Sequence, residues 1–354
     1  MFLECSKIVL KYVLPVDYYL SLKCLRQSTS GLIRSLEIVL KWIFLLVLFF
    51  DIKIFITVCS KNYHHEMVDF FSCFVINIFQ IVCTIITFYS DEEMENIMSL
   101  EKTTLTKTLK EKLVKTKTLI TVLYIIDCTL VTLYISVWMS SNLRKGGDLM
   151  TAVISSCFWE YTEILKTTKV LKFCASLSII GVIIDNTSEN FKKKRCKNIE
   201  DFKLFVDQYN EYSMITNEVC LNNEKIVLCV ANRDLFLSTF LVFRIIIRRH
   251  TFNTGMWGMM SFKRMTELFL HCFYIKRKMN GMKNIIISHF PTLPKATQKE
   301  INPFLLEMLH QKRIVNIKGF FDINGELIMA IVGTIFTYTL MLNQLEGIMH
   351  NKIN

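Results

Sequence analysis

Proline and glycine are scarce, at 4 and 11 of 354 residues. That removes the turn chemistry a loop-rich β architecture needs. Strict apolar–polar alternation is weak, which argues against a transmembrane barrel. Catalytic signatures are missing too: there is no Gly-rich phosphate loop, no GxSxG elbow and no HExxH pair, so no enzyme is indicated. The twelve cysteines include no CxxC spacing, so neither a zinc site nor a disulfide framework is supported. Cys73, Cys83, Cys128, Cys157, Cys174, Cys229 and Cys272 lie inside apolar runs, where a thiol behaves as a small hydrophobe. Tyr63, His64, His65 and Glu66 form one short loop with no third well-placed ligand, so a solvated loop is expected there and no metal. No cofactor is expected. Residues 1–13 lack the apolar core and cleavage site of a signal peptide, so the first spanning helix is expected to direct its own insertion.

Apolar residues are what the chain has in quantity. They make up 52% of it, and the mean hydropathy is +0.36. They gather into runs of roughly 17–25 residues, the length that crosses a hydrocarbon core of about 30 Å. Seven spanning candidates follow: about 38–59 (broken by Lys41, Asp51 and Lys53), 67–89, 119–138 with Asp127 inside, 149 to as far as 184, 226–247, 256–275 and 325–344. The fourth is too long for one crossing, so part of it is expected to project beyond the bilayer. The sixth is the least apolar and carries Lys263, Arg264 and Glu267.

The net charge of +11 would raise nucleic acid as a partner in a soluble protein. Here the basic residues cluster between apolar runs and act better as topology signals and lipid-headgroup contacts. With the N-terminus inside, segments 1–35, 90–117, 185–218 and 276–324 hold 26 Lys and Arg, against 6 in the outside loops and tail. The positive-inside rule therefore predicts a cytoplasmic N-terminus and an outside C-terminus. Two inside segments carry apolar residues at helical spacing, through Phe202, Phe205, Tyr209, Tyr212, Ile215 and Val219, and through Leu305, Leu306, Leu309, Ile314 and Ile317. They predict amphipathic cytoplasmic helices over 201–219 and 303–321. The fold class expected is thus an all-α membrane protein with seven transmembrane helices and a cytoplasmic helical anchor region.

The C-terminal stretch reads NIKGFFDINGELIMAIVGTIFTYTLMLNQLE, from Asn316 to Glu346. It resembles the insect gustatory receptor family, a branch of the insect chemoreceptors. That family's last helix carries Thr-Tyr, five mostly apolar residues, then Gln-Phe. Thr337, Tyr338 and Gln344 match, while Leu345 replaces the Phe and Asn343 places an amide in the apolar quintet. Gly319, Phe321 and Asn324 match the run before the helix.

The resemblance implies a seven-helix, ligand-gated cation channel at the cell membrane. It implies a homo- or hetero-tetramer with related receptor subunits, opened by a small-molecule tastant. On this plan residues 1–35 form a cytoplasmic segment and 36–275 hold helices one to six. Residues 276–324 form the anchor, 325–345 the pore-lining helix and 346–354 an extracellular tail. The ligand pocket is expected in the outer halves of helices two to six.

The residues can be read beside this. Thr334, Thr337, Met341 and Gln344 fall on one helical face. Such a mixed polar stripe suits a partly hydrated path for permeating cations, with Met341 or Leu345 as an apolar constriction. The alternative is that the threonines bond back to their own helix. Pocket candidates are Asp127, Tyr134 and Trp138 on the third span; Trp159, Glu160, Tyr161 and Glu163 on the fourth; Phe240 and Arg244 on the fifth; and Trp257 on the sixth. Trp138 and Trp257 equally suit an interfacial aromatic belt. Glu160 and Glu163 are costly at spanning depth and need a cavity or partner, for which Arg244 is a candidate.

A G-protein-coupled type of seven-helix receptor is the main alternative and a membrane carrier a weaker one. Against the first stand the charge balance and the lack of Asp-Arg-Tyr after the third span; against the second, the lack of internal repeats. On intact cells an epitope before Met1 should stay protected and one after Asn354 should be labelled. The reverse pattern would favour the coupled receptor.

Overall fold

The computed structural model describes residues 107–144, 149–194, 199–246, 252–310, 316–317, 321–322, 330, 332–341 and 343–344, with isolated helical positions between 49 and 86. The first expected span and most of the second lie outside the described residues, as do segment 1–35 and the tail 346–354. Four long helices dominate: α1 (Lys107–Arg144), α2 (Leu149–Lys194), α3 (Ile199–Ile246) and α4 (Phe252–His289). They run 38, 46, 48 and 38 residues, or about 57–72 Å. A hydrocarbon core takes only about 30 Å of each. The third to sixth expected spans lie within these helices, which all continue well past them.

Two expectations need correction. The fourth helix does not stop near 184 but runs to Lys194. The amphipathic segment 201–219 is not a separate helix; it is the first part of α3, continuous with the fifth span. Residues 220–225 contain no Pro or Gly to break it, and Asn223 keeps its amide on the helix by donating to the Val219 carbonyl at 2.9 Å. The expected periodicity itself is present: Phe202, Phe205, Tyr209, Tyr212, Ile215 and Val219 are all buried.

α4 ends in a single 3-10 turn, Phe290–Thr292, with Pro291 inside it and Pro294 just beyond. α5 then runs Lys295–His310 with Pro303 in its interior. The helix expected over 303–321 therefore starts earlier and ends sooner. Ile317 lies instead in a short antiparallel pair, β1 (Asn316–Ile317) with β2 (Phe321–Asp322). Asn316 is opposite Asp322, and Ile317 opposite Phe321. β1 packs on α3. A further apolar helix, α6, covers Val332–Met341.

α2 is the axle of the bundle. It packs against α1, α3 and α4, and 94% of its most apolar stretch within Lys166–Lys193 is buried, against 33% for that of α1. A helix so enclosed faces protein rather than lipid. Three described helices are long and apolar enough to cross a membrane, within Glu111–Val137, Lys166–Lys193 and Ile199–Phe243. At the α2–α3 end, Phe191 stacks on Phe205 at 3.9 Å between centroids, and His289 meets Phe191 edge-on. Tyr212 and Thr187 share a hydrogen bond of 3.0 Å. α5 docks there through Ile301, Leu305 and Met308, all buried. Lys283 donates to the Met308 carbonyl and Lys203 to Glu300. Cys83, Cys174, Cys229 and Cys272 are buried, as their apolar setting predicts.

Close helix approach depends on two glycines. A Cβ at Gly181 would overlap the ring of Tyr274, and one at Gly258 would overlap Leu241, whereas one at Gly281 would meet nothing. Alanine at an open helical position gains about 1 kcal/mol, and overpacking costs about 1–3 kcal/mol. Gly181→Ala should therefore lower the melting temperature of the detergent-solubilised protein, while Gly281→Ala holds or raises it. Equal melting temperatures would show that the α2–α4 contact yields freely.

Candidate functional site

Inside this bundle, far from either helix end, sits a layer of charge. Glu163 on α2 receives Arg233 of α3 as a fork, with Nη2 donating to Oε1 at 2.6 Å and Nη1 to Oε2 at 3.2 Å. Arg264 of α4 donates to Glu163 Oε2 at 3.1 Å and to Thr167 Oγ1 at 3.3 Å. It also forks onto Asp234 of α3, with Nε and Nη2 each at 2.9 Å. Lys166, one turn after Glu163, reaches it at 3.2 Å. All five ionised side chains are nearly inaccessible, from 0% to 3% exposed. A second group ties α1 to α4, where Lys263 donates to Asp127 at 2.5 Å and to Glu267 at 2.6 Å. The eight charges balance, with four carboxylates and four cations.

The sequence places these groups through helical spacing. Glu163 and Lys166 are three apart, as are Arg264 and Glu267, so each pair shares a face. Arg233 and Asp234 are neighbours on α3 and turn to different partners, Glu163 and Arg264. The orientation of the whole set follows from α2 and α4, each of which packs against the other three long helices.

Against this layer lies a small apolar cluster of Val131, Tyr134, Ile135 and Met260, with Leu130, Ile164, Met256 and Trp257 packed on it. It stands at the end of the bundle where α1 turns to α2 and α3 to α4. Tyr134 and Trp257 stack with centroids 6.1 Å apart. The Arg233 guanidinium lies 5.8 Å from the Trp257 ring centroid, within the range of a cation–π contact. Aromatic faces, apolar side chains and a few fixed polar groups are the usual furnishing of a small-molecule site.

The structure thus brings Tyr134, Glu163 and Trp257 into one locality, with Asp127 one helix away through Lys263. Phe240 lies half-buried on α3, two turns beyond Arg233. The side chains of Trp138, Trp159, Glu160, Tyr161 and Arg244 lie outside the described residues, although their backbones are helical in α1, α2 and α3. Among the described residues Glu163 takes Arg233, Arg264 and Lys166 as partners, while the side chain of Arg244, its expected partner, lies outside them. Arg233, Asp234 and Lys166 also belong to the layer, although the sequence reading singles out none of them. The adjacent Arg-Asp pair inside a long apolar run was the available signal, because an ion pair at that depth needs further partners.

On α6, Thr334 donates to the Ala330 carbonyl at 2.7 Å and Thr337 to that of Gly333 at 2.9 Å. The back-bonded alternative therefore describes these hydroxyls in the single chain. Thr337, Met341 and Gln344 remain exposed, and Thr334 is half-buried. Thr339, off this stripe, is buried. Phe321 has its backbone in β2, while Gly319, Asn324 and Leu345 lie outside the described residues.

The sequence profile of the 7tm chemosensory receptor family matches residues 10–346. The chain belongs to that family. It is therefore a multi-pass membrane receptor of a non-enzymatic kind. Its fold is similar to the insect olfactory receptor OR5 from Machilis hrabei, with a TM-score of 0.73 over 90% of this chain and 92% of that one, at 11% identity. The same protein in complex with eugenol gives a TM-score of 0.64 at 12% identity, with the same coverage. At such identities the likeness is one of fold. No curated protein sequence matches the chain.

The ionic layer makes a sharp prediction for this receptor. Removing one partner from a buried ion pair strands the other and costs about 3–5 kcal/mol. Glu163→Gln keeps the side-chain shape and leaves Arg233, Arg264 and Lys166 facing an amide. It should cut the yield of monodisperse protein and its melting temperature, and Glu163→Leu with Arg233→Met should recover part of both. A single variant as stable as wild type would mean that water reaches this layer.

Proposed function

We propose that this receptor is a gustatory, ligand-gated, non-selective cation channel that assembles as a tetramer, with α6 of each subunit lining the pore. The observation that carries this reading is the exposed stripe of Thr337 and Met341 on α6 and of the helical Gln344 just after it, residues that also carry the Thr and Gln of the gustatory signature. A stripe of hydroxyl, thioether and amide is poorly suited to lipid and well suited to a partly hydrated path. The back-bonded threonines do not oppose it. A hydroxyl that donates to its own helix still offers lone pairs outward. Around the pore, Gln344 orients partly hydrated ions and Met341 narrows the path.

Gating on this reading begins at the Tyr134–Trp257 cluster, in the outer half of the bundle given a cytoplasmic N-terminus. A small tastant enters among α1 to α4, and the anchor region around α5 holds subunits together. Support comes from the apolar and aromatic make-up of that cluster beside fixed charges. Eugenol is bound by the olfactory receptor of similar fold, which makes a small organic molecule a reasonable ligand class here.

The test is current recording from the expressed chain, alone and with related subunits, across sugars, bitter compounds and carbon dioxide. A ligand-evoked cation current is expected, and Gln344→Ala should change conductance or relative permeability. Permeation identical to wild type in that variant would remove Gln344 from the pore. Responses carried only through G proteins would overturn the channel itself.

A further inference from the structure

Two buried polar atoms beside the aromatic cluster have no hydrogen-bond partner among the described residues: Arg233 Nε and Ser261 Oγ. Both residues are fully buried, at 0% exposure. Arg233 spends its two terminal nitrogens on Glu163, which leaves Nε–H as its unmet donor. Ser261 lies on α4 between Trp257 and Arg264, and positions 257, 261 and 264 share one helical face.

The surrounding contacts close into a ring. Trp257 lies against the Arg233 guanidinium, Arg233 binds Glu163, and Glu163 binds Arg264. Arg264 returns to the α4 face that holds Ser261. Ser261 thus stands on that face between Trp257 and Arg264, and Arg233 meets both the Trp257 ring and the Glu163 carboxylate that holds Arg264. Leaving Ser261 Oγ and Arg233 Nε unmet in a low-dielectric interior is costly, and both carboxylate oxygens of the adjacent Glu163 are taken by donors. Two unmet donors at the edge of an apolar aromatic cluster describe a complement: a flat apolar body with one acceptor oxygen.

We propose that Arg233 Nε and Ser261 Oγ donate to the acceptor oxygen of a small ring-bearing ligand whose apolar body lies against Tyr134 and Trp257. This rests on the ligand-gated reading above and names the chemistry of its ligand. Carbonyl and ether compounds fit, since an uncharged oxygen accepts both bonds without adding a buried charge. Hydrocarbons of the same shape fill the cluster but leave both donors unmet.

The test compares benzaldehyde with toluene, which share a ring and differ at the oxygen, in cells expressing the full chain. Wild type should respond to benzaldehyde at about tenfold lower concentration than to toluene. Ser261→Ala should shrink that ratio to about threefold or less. Arg233→Lys keeps a cation for Glu163 and removes Nε, so it should shrink the ratio further. If Arg233→Lys fails to reach the surface, Ser261→Ala decides alone, since it deletes one small group. Thermal stabilisation of the purified protein by each compound gives the same comparison without a current. Equal potency of the two compounds in wild type would overturn the proposal. So would an undiminished preference in Ser261→Ala, which would assign the orphaned atoms to an ordered water. If neither compound nor any other ring compound evokes a current or a thermal shift, the ligand-gated reading itself fails and this assignment falls with it.

Discussion

A carboxylate removed from water must be surrounded by donors, and Glu163 is the clearest case in this bundle. Transfer of an ion into a low-dielectric interior costs several kcal/mol even after relaxation. It is offset only when the geometry is good and every lone pair is used. Glu163 meets that condition with donors from Arg233, Arg264 and Lys166 at 2.6–3.2 Å. Two of these come from other helices. Satisfying one side chain therefore requires α2, α3 and α4 to stand at a single relative height. Apolar packing between long helices tolerates a slip of one turn, about 5.4 Å. A hydrogen-bonded fork does not. The apolar faces hold the bundle together, and the ionic layer sets its register.

The same constraint accounts for the odd character of α4. Lys263, Arg264 and Glu267 make it too polar to qualify as a span by hydropathy alone. Arg264 is taken by Glu163 and Asp234, and Lys263 by Asp127 and Glu267. Neighbouring helices provide for these charges in place of solvent, so α4 is stable only as part of the assembled bundle. α2, enclosed on nearly all sides, is the helix around which this becomes possible. The apolar residues of α1 and α4 such as Leu119, Ile125, Phe262 and Leu270 instead point out of the bundle.

Helical class, the four long helices α1 to α4 and the buried stripe of α3 were legible in the sequence. Each follows from periodicity or apolar run length, which are local properties. Phe202 to Val219 shows this well: the spacing gave the buried face correctly. It could not say whether that face continues into the next span, because residues 222–225 are polar without being helix-breaking. Glu163 was legible as an anomaly because its cost at depth is independent of fold. Its partner was not, since Arg233, Arg244 and Arg264 are equally available in sequence, and only the crossing of the helices selects among them. The segment 303–321 failed for a related reason. Its apolar spacing runs across a point where the chain leaves α5 and turns into a two-stranded pair.

The arrangement also bears on how a ligand at the aromatic cluster could reach α6. A ligand shifts an equilibrium only by as much as it prefers one state to another. The unit it perturbs must also be bistable rather than merely soft. α3 meets the first structural requirement for such a relay. It carries Arg233, the residue that touches both Trp257 and Glu163, and it also packs on β1, in the segment leading to α6. The ionic layer is the group suited to the second requirement. Forked pairs at 2.6–3.2 Å hold or break over a short displacement, where an apolar interface would deform by degrees. On the proposed function, the charges that cost the bundle most to bury are also the groups best able to switch it.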